Sequence, residues 1–384
     1  MSAISAAVRT WLFLAAWPLL FEQAESSNRG GGFGRKRHFV NRHSLYFLGP
    51  GRVALQEEAF PSPGRQELLV KTLYSAISPG TEMLVYQGMF PEQLQVDETI
   101  STLVNEFRYP LKYGYAAVGR VIAAGPDIDS DRKEWIGRTV FAFNPHENYF
   151  LASPADLIPI PPGVRLEDAV FLPNMETAVN LVMDGAPLLG ERVVVLGQGI
   201  VGLLTTAILA QFPLDGLLTL DRYPLRRRVS LKLGAKSSLD PREIDFTSQV
   251  DPRLGWTPGG GADLTYELTG SPAALEQAIA LTGFAGRVII GSWYGKKRGD
   301  IDLGGWFHRS RIHLISSQVS TLAPHLGGRW TKKRRFATAW EMIRRLRPSA
   351  LITHRFPFTQ AASAYELLDQ RPEEAVQVLF TYSD

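Results

Sequence analysis

The sequence predicts an α/β protein in which a doubly wound parallel sheet is joined to a β-rich, barrel-like domain. Three observations carry this. Short alternating strands separated by Gly and Pro run from His43, a regular strand–helix alternation sets in at Arg192, and between them residues 167–183 place apolar side chains at helical spacing. With 384 residues the chain can bury two cores, and 45% hydrophobic with 21% charged residues is the balance of an ordinary globular protein.

Taken in order, residues 44–47 and 52–55 flank the turn Gly49-Pro50-Gly51, residues 67–74 alternate as a strand, and residues 118–123, 139–143 and 149–151 continue the series. The helical segment 167–183 follows. Residues 193–196 are a fully apolar strand, 200–210 an apolar helix, 217–220 a second strand, and 226–233 a helix stopped by Gly234. Residues 264–268, 287–290 and 312–315 read as later strands, with a helix at 273–281, and such alternation implies right-handed crossovers in a parallel sheet. The tail, 337–382, mixes helices with strand-like runs at 351–356 and 375–381. The expected division is an extension over 1–42, a barrel domain over 43–175, a nucleotide-binding domain over 176–317 and a C-terminal return over 318–384.

The net charge of +3 is misleading. Arg9, Arg29, Arg35, Lys36, Arg37 and Arg42 face only Glu22 and Glu25 in the first 42 residues, so the remainder is close to neutral and gives no case for a nucleic-acid partner. Residues 11–21 are an apolar run too short to span a bilayer, interrupted by Pro18 and without a clear small-residue cleavage site. The extension is therefore expected to lie outside the fold, and the protein to be cytoplasmic without membrane attachment, although export through residues 1–25 stays open. No cysteine is present, which removes disulfides, thiolate nucleophiles and cysteine-ligated metal sites.

The run Gly197-Gln198-Gly199-Ile200-Val201-Gly202 leaves an apolar strand and opens an apolar helix. Gly197 permits the tight turn, Gly199 lets a pyrophosphate approach the backbone, and Gly202 lets helix and sheet pack closely, as in the Rossmann dinucleotide fold. The helix start at Ile200 and Val201 turns free N–H groups and a positive dipole end to the phosphates. Asp221 ends the next strand, where a carboxylate accepts hydrogen bonds from the adenosine ribose and repels a 2′-phosphate. NAD is therefore the expected cofactor. Arg222, Arg226, Arg227 and Arg228 keep NADP as the alternative.

With these segments in place, the chain over residues 43–384 resembles the medium-chain dehydrogenase/reductase superfamily. Its markers are Pro79-Gly80-Thr81-Glu82, Gly114-Tyr115-Ala116-Ala117-Val118-Gly119, the glycine turn and Glu267-Leu268-Thr269-Gly270. The resemblance implies a GroES-like substrate domain, a Rossmann domain, cofactor contacts from Thr269 and Gly291, and a homodimer. Ser78-Pro79-Gly80-Thr81-Glu82, the stretch Tyr109 to Tyr115, Gly291-Ser292-Trp293-Tyr294-Gly295 and Phe307-His308-Arg309-Ser310-Arg311 are similar to a zinc-free subgroup that includes bacteriochlorophyllide (3-hydroxyethyl) dehydrogenases. Positions where zinc members carry ligands hold Pro79, Tyr115 with Ala116 after it, and the neighbourhood of Pro173. These side chains do not supply the three or four donors zinc needs, so neither a catalytic nor a structural zinc is expected.

A metal-free alcohol dehydrogenase must stabilise the substrate oxygen and move its proton with side chains. Thr81 offers a hydroxyl relay, Tyr115 occupies a ligand position, and His146 has the pKa range of a base. Glu82 and Glu176 could orient them. Each has a bland alternative: tyrosines commonly pack, loop histidines are commonly only hydrogen-bonded, and Glu82 could simply accept from a backbone N–H. Lys332-Lys333-Arg334-Arg335 reads as a solvated helix face, with an acidic substrate as the alternative, and Trp293, Tyr294, Trp306 and Phe307 as either an aromatic substrate wall or core. The expected activity is hydride exchange between nicotinamide and a secondary alcohol or its carbonyl, in a small and sometimes bulky or aromatic substrate. An NADPH-dependent quinone or enoyl reductase and a non-catalytic nucleotide-binding protein are the competing readings.

Overall fold

The computed structural model describes residues 41–59, 62–91, 107–128, 132–246 and 260–383. The signal-like run and the basic stretch before residue 41 lie outside them. The first half contains β1 (Arg42–Gly49), β2 (Arg52–Glu58), β3 (Leu68–Ala76), α1 (Pro79–Tyr86), β4 (Leu111–Lys112), β5 (Ala117–Ala124), α2 (Arg132–Trp135), β6 (Thr139–Ala142), β7 (Tyr149–Ala152) and β8 (Leu157–Pro159). Then come α3 (Leu166–Ala169), α4 (Leu172–Gly185), β9 (Arg192–Leu196), α5 (Ile200–Leu209), β10 (Gly216–Leu220), α6 (Pro224–Lys232), β11 (Ser237–Leu239), β12 (Ala262–Glu267), α7 (Pro272–Leu281), β13 (Thr282–Ile290), α8 (Trp306–Arg309) and β14 (His313–Ser316). The tail supplies α9 (Lys332–Leu346), β15 (Ile352–Pro357), α10 (Ala361–Gln370) and β16 (Gln377–Thr381).

Strands β9 to β14 form one parallel sheet in the order β11-β10-β9-β12-β13-β14. That is the doubly wound order in which the chain reverses direction at its first strand, leaving a crevice at the carboxyl ends of β9 and β12. Central β9 is buried on both faces through Val193, Val194, Val195 and Leu196, which explains its unbroken apolar run. Helices α4, α5 and α9 cover one face, burying Leu181, Leu203, Leu204 and Ile343 together, and α7 covers the other with Leu275 and Ile279.

The second sheet is mostly antiparallel and runs β15-β16-β3-β5-β6-β8, with β7 paired to β3, and a small sheet β2-β1-β4 lies beside it. The C-terminal strand β16 pairs with β3, residues Leu379 and Phe380 lying opposite Ala76 and Ser75, so the chain's end closes the sheet begun near its start. Two details differ from the sequence reading. Strand β1 already includes Arg42, and the helix expected over 167–183 is two helices, because Pro173 begins a new one at its first turn. Among the described residues, no helix is long and apolar enough to cross a membrane.

Candidate active site

A single cleft of about 1260 Å³ runs between the two large sheets, with Asp221 and Gly199 among its lining and Thr81 and Tyr115 also on its wall. At the carboxyl end of β9, Gly197 has φ +89°, and a Cβ there would lie 2.6 Å from Leu268 O. A Cβ on Gly202 would lie 1.9 Å from Gly197 O, whereas one on Gly199 would meet nothing within 4 Å. The turn is therefore sealed to the protein on two sides and open to the cleft on the third, which is the shape a diphosphate needs. Asp221 is buried and fixed by two backbone donors: its Oδ2 accepts from Gln198 N at 2.7 Å and its Oδ1 from Tyr223 N at 2.8 Å. Each oxygen keeps a second lone pair for a ribose hydroxyl.

Of the expected basic groups, Arg222 lines the cleft and lies over the Tyr223 ring at 4.6 Å. Arg226 also lines it but is largely committed elsewhere, donating to Pro372 O and Ala375 O, both at 3.0 Å, and burial lowers its pKa. Thr269 is held by Glu267, a fully buried carboxylate that accepts from Thr269 N at 2.8 Å, Thr269 Oγ1 at 2.5 Å and Tyr294 OH at 2.7 Å. Burial and that carboxylate keep the Tyr294 phenol protonated, well above its usual range. Gly291 packs at the end of β13, and beside it Ser292 accepts from Gly270 N at 2.8 Å. Lys297 donates to Gly270 O at 2.8 Å, its pKa lowered by burial. The sequence assigns no role to Ser292, although it lies in the Gly291-Ser292-Trp293-Tyr294-Gly295 stretch, or to Lys297, which belongs to no local motif.

Elsewhere on the cleft wall, the Tyr115 hydroxyl donates to Ser78 Oγ at 2.5 Å and lies 3.3 Å from Thr81 Oγ1. Ser78 precedes α1 and Thr81 sits in its first turn, so one helix start presents both hydroxyls. Behind them lies a sealed polar chain. Glu82 accepts from Ser78 N at 2.7 Å and from Tyr365 OH at 2.5 Å, and lies 3.0 Å from His146 Nε2. His146 Nδ1 is 2.7 Å from Ser75 Oγ, which is 2.7 Å from Tyr382 OH. Burial raises the Tyr365 and Tyr382 phenols far above their ordinary values. Glu82 and His146 are completely buried and neither lines the cleft. The expectation of His146 as a base facing the substrate therefore meets a ring walled off by Phe380, its centroid 5.1 Å away, and by the Glu82 and Ser75 contacts.

Glu176 does line the cleft, tied to Arg335. That arginine is fully buried and spends all five donors: two on Glu176, at 2.8 and 3.1 Å, and the others on Asn180, Val319 O and Thr321 O. The basic run is thus not a uniform solvated face. Lys332 lines the cleft, Lys333 is exposed, Arg334 stacks on Trp330 at 4.0 Å, and Arg335 is core. The aromatic set divides likewise. Trp293 faces the cleft beside Phe90, while Tyr294 serves Glu267, and Trp306 and Phe307 pack under the parallel sheet, with Trp306 Nε1 donating to Thr282 O at 2.9 Å.

No family model matches the chain. It is 25% identical to a zinc-type alcohol dehydrogenase-like protein of Escherichia coli K12, across 85% of this chain and 95% of that one. An L-threonine 3-dehydrogenase of Pyrococcus furiosus is 24% identical, across 82% and 91%, and a sorbitol dehydrogenase of Halalkalibacterium halodurans 22%, across 88% and 97%. The 2R,3R-butanediol dehydrogenase of Bacillus subtilis superposes with a TM-score of 0.70 at 17% identity, covering 88% of this chain and 99% of that one. An E. coli alcohol dehydrogenase complexed with NADH superposes equally, at 0.70 and 18% identity over 89% and 99%. The chain thus shares its fold with these dehydrogenases and is similar to the medium-chain dehydrogenase/reductase superfamily. These relatives support the superfamily and not the narrower zinc-free, bacteriochlorophyllide-type resemblance, since the first is named a zinc-type protein.

Zinc fits this cleft poorly on the donor chemistry of its own residues. The positions that the family resemblance marks as ligands hold Pro79, Tyr115 and the neighbourhood of Pro173, and the chain has no cysteine. Among the described residues, no three His, Asp or Glu side chains gather closely enough to share an ion.

Proposed function

We propose that this medium-chain dehydrogenase is a zinc-independent, NAD(P)-dependent oxidoreductase that exchanges hydride with a secondary alcohol or its carbonyl, with NAD preferred. The single observation that carries the reading is one cleft holding both an open glycine cradle beside Asp221 and a three-hydroxyl cluster where the resemblance marks ligand positions. In this reading residues 43–175 with 318–384 form the substrate half and 176–317 the cofactor half, and the protein works as a homodimer.

Gly197, Gly199, Ile200, Val201 and Gly202 would hold the diphosphate, Asp221 the adenosine ribose, and Thr269 and Gly291 the middle of the cofactor, with Arg222 and Arg226 nearby. The nicotinamide, when bound, accepts or returns the hydride. Tyr115 and Thr81 bind the substrate oxygen. In the oxidation direction the substrate hydroxyl passes its proton to the Tyr115 oxygen as Tyr115 passes its own to Ser78 Oγ along the 2.5 Å hydrogen bond, and Ser78, absent from the sequence-level candidates, releases its proton to solvent in the cleft it lines, so both hydroxyls end neutral. Glu82 and His146 act as positioning residues: the Glu82 bond to Ser78 N holds the start of α1, and His146 buttresses that carboxylate.

The test is turnover after metal stripping. Protein dialysed against a strong chelator, with its zinc content measured, is assayed by NADH absorbance on a panel of secondary alcohols and ketones. Unchanged rates at negligible zinc are expected. Stoichiometric zinc, or activity that vanishes with the metal and returns with it, would refute zinc independence.

A further inference from the structure

Glu267 closes β12 with a carboxylate that has no task in the chemistry above. It is fully buried and does not itself line the cleft. Its three hydrogen bonds all come from neutral donors: Thr269 N at 2.8 Å and Thr269 Oγ1 at 2.5 Å on Oε1, and Tyr294 OH at 2.7 Å on Oε2. Three donors on two oxygens suit a carboxylate, since a side-chain amide offers one accepting oxygen and a donating nitrogen. A charge buried among neutral partners is costly, and a turn needs no charge to be held.

That charge lies one residue behind the cleft wall. Thr269, which donates to it, lines the cleft together with Leu268, Ser292 and Trp293. The loop after β13 then docks on the substrate half: Lys296 N donates to Met89 O at 2.9 Å, just beyond α1, and a Cβ on Gly295 would lie 2.5 Å from the same carbonyl. The wall over Glu267 therefore joins the glycine cradle to the helix whose start presents Ser78 and Thr81. A cofactor with its diphosphate on the cradle and its nicotinamide at those hydroxyls passes over this wall, at the carboxyl ends of β12 and β13.

The two redox forms of the cofactor differ in charge at that end. The oxidised nicotinamide is a cation and the reduced ring is neutral, while the phosphates and the adenosine are the same in both. A charge sealed from water and salt keeps its reach, so the buried carboxylate acts on one form and not on the other. We propose that Glu267 sets the redox-form preference of the site: it tightens the oxidised cofactor relative to the reduced one, which makes the bound nicotinamide a stronger hydride donor than it would be beside a neutral side chain. Lys297 opposes it, acting electrostatically on Glu267 from the same wall, where its ammonium donates to Gly270 O at 2.8 Å. The inference rests on the cofactor reading of the cleft.

The test titrates NAD⁺ and NADH calorimetrically into the whole protein and reads the ratio of their Kd values. A purely structural contribution weakens both forms alike and leaves the ratio where it was. Glu267→Gln keeps an oxygen for Thr269 and turns its amide nitrogen to the Tyr294 hydroxyl, and should weaken NAD⁺ at least about threefold more than NADH; a tenfold difference would equal about 30 mV in the potential of the bound couple. Lys297→Met removes the opposing charge and should move the ratio the other way by at least about threefold, which keeps the test sound where Glu267→Gln fails to fold. Tyr294→Phe removes a donor and keeps the charge, so the ratio should stay at its wild-type value. A ratio indifferent to both charge changes, or moved in one direction by both, would overturn the role of Glu267 while binding of the two forms leaves the cofactor reading standing. Wild-type protein that binds neither form would remove the cofactor reading itself, and the preference with it.

Discussion

Gly199→Ala separates cofactor binding from folding more cleanly than any other substitution in the cleft. Gly199 adopts φ −68° and ψ −175°, an extended conformation that alanine accepts, and an added Cβ would meet nothing within 4 Å. Folding should therefore be unharmed. Removing a glycine from the unfolded chain should even stabilise by about 0.4–1 kcal/mol, a rise in Tm of about 1–4 °C for a domain of this size. The empty space, however, is the surface a diphosphate must touch, so the methyl group holds the phosphates off the backbone N–H groups at the start of α5. A tenfold to hundredfold weaker NADH Kd is expected, about 1.4–2.8 kcal/mol. Fluorescence titration reads the affinity and differential scanning calorimetry the stability. The paired control, Gly202→Ala, puts a Cβ 1.9 Å from Gly197 O and should lower both. A Gly199→Ala protein that binds NADH as tightly as wild type would show that no diphosphate rests on this turn, and the cofactor argument would fail.

Four further outcomes follow from the same geometry. Tyr115→Phe removes the hydroxyl that reaches Ser78 and should lower kcat by about 10²–10⁴-fold, as expected for loss of a positioned proton-transfer group, with NADH binding and Tm little changed; undiminished kcat in steady-state assays would dismiss Tyr115. Arg335→Met leaves the Glu176 carboxylate buried without its cation and should cost about 3–5 kcal/mol in urea unfolding, whereas the double change with Glu176→Leu should restore much of it. Burial outweighs Arg335 and raises the Glu176 pKa, so its contribution favours the folded state most at low pH, where it is protonated in both states, and is lost as pH climbs from the ordinary carboxylate value through the raised one; Glu176→Gln should flatten that part of the stability–pH curve. Asp221→Asn should weaken NADH and raise the NADPH-to-NADH affinity ratio, measured by competition, because one negative charge facing the 2′ position is gone.

The features legible in the sequence are those whose physics is local. Strand and helix periods, the apolar β9 run, the three glycines and an aspartate at the end of the next strand all follow from steric and hydrogen-bonding needs within a few dozen residues; the strands and helices form in that order, and the glycines and Asp221 line one cleft. Even Tyr115 and Thr81 reach the cleft, since each sits beside a turn that the family resemblance orients. What needed the tertiary structure was the fate of polar groups with two physically sensible homes. His146 has the chemistry of a base, but its partner Glu82 meets Tyr365 across 283 positions of sequence and seals it away. Arg335 sits in a run of four cations that reads as solvated, yet Glu176, 159 positions earlier, draws it into the core. Trp306 and Phe307 are as apolar as Trp293, and only the packing of α8 under the sheet sends them inward while Trp293 faces the cleft. Burial of a charge or a ring depends on what arrives from the far side of the fold, and that information is spread over the whole chain.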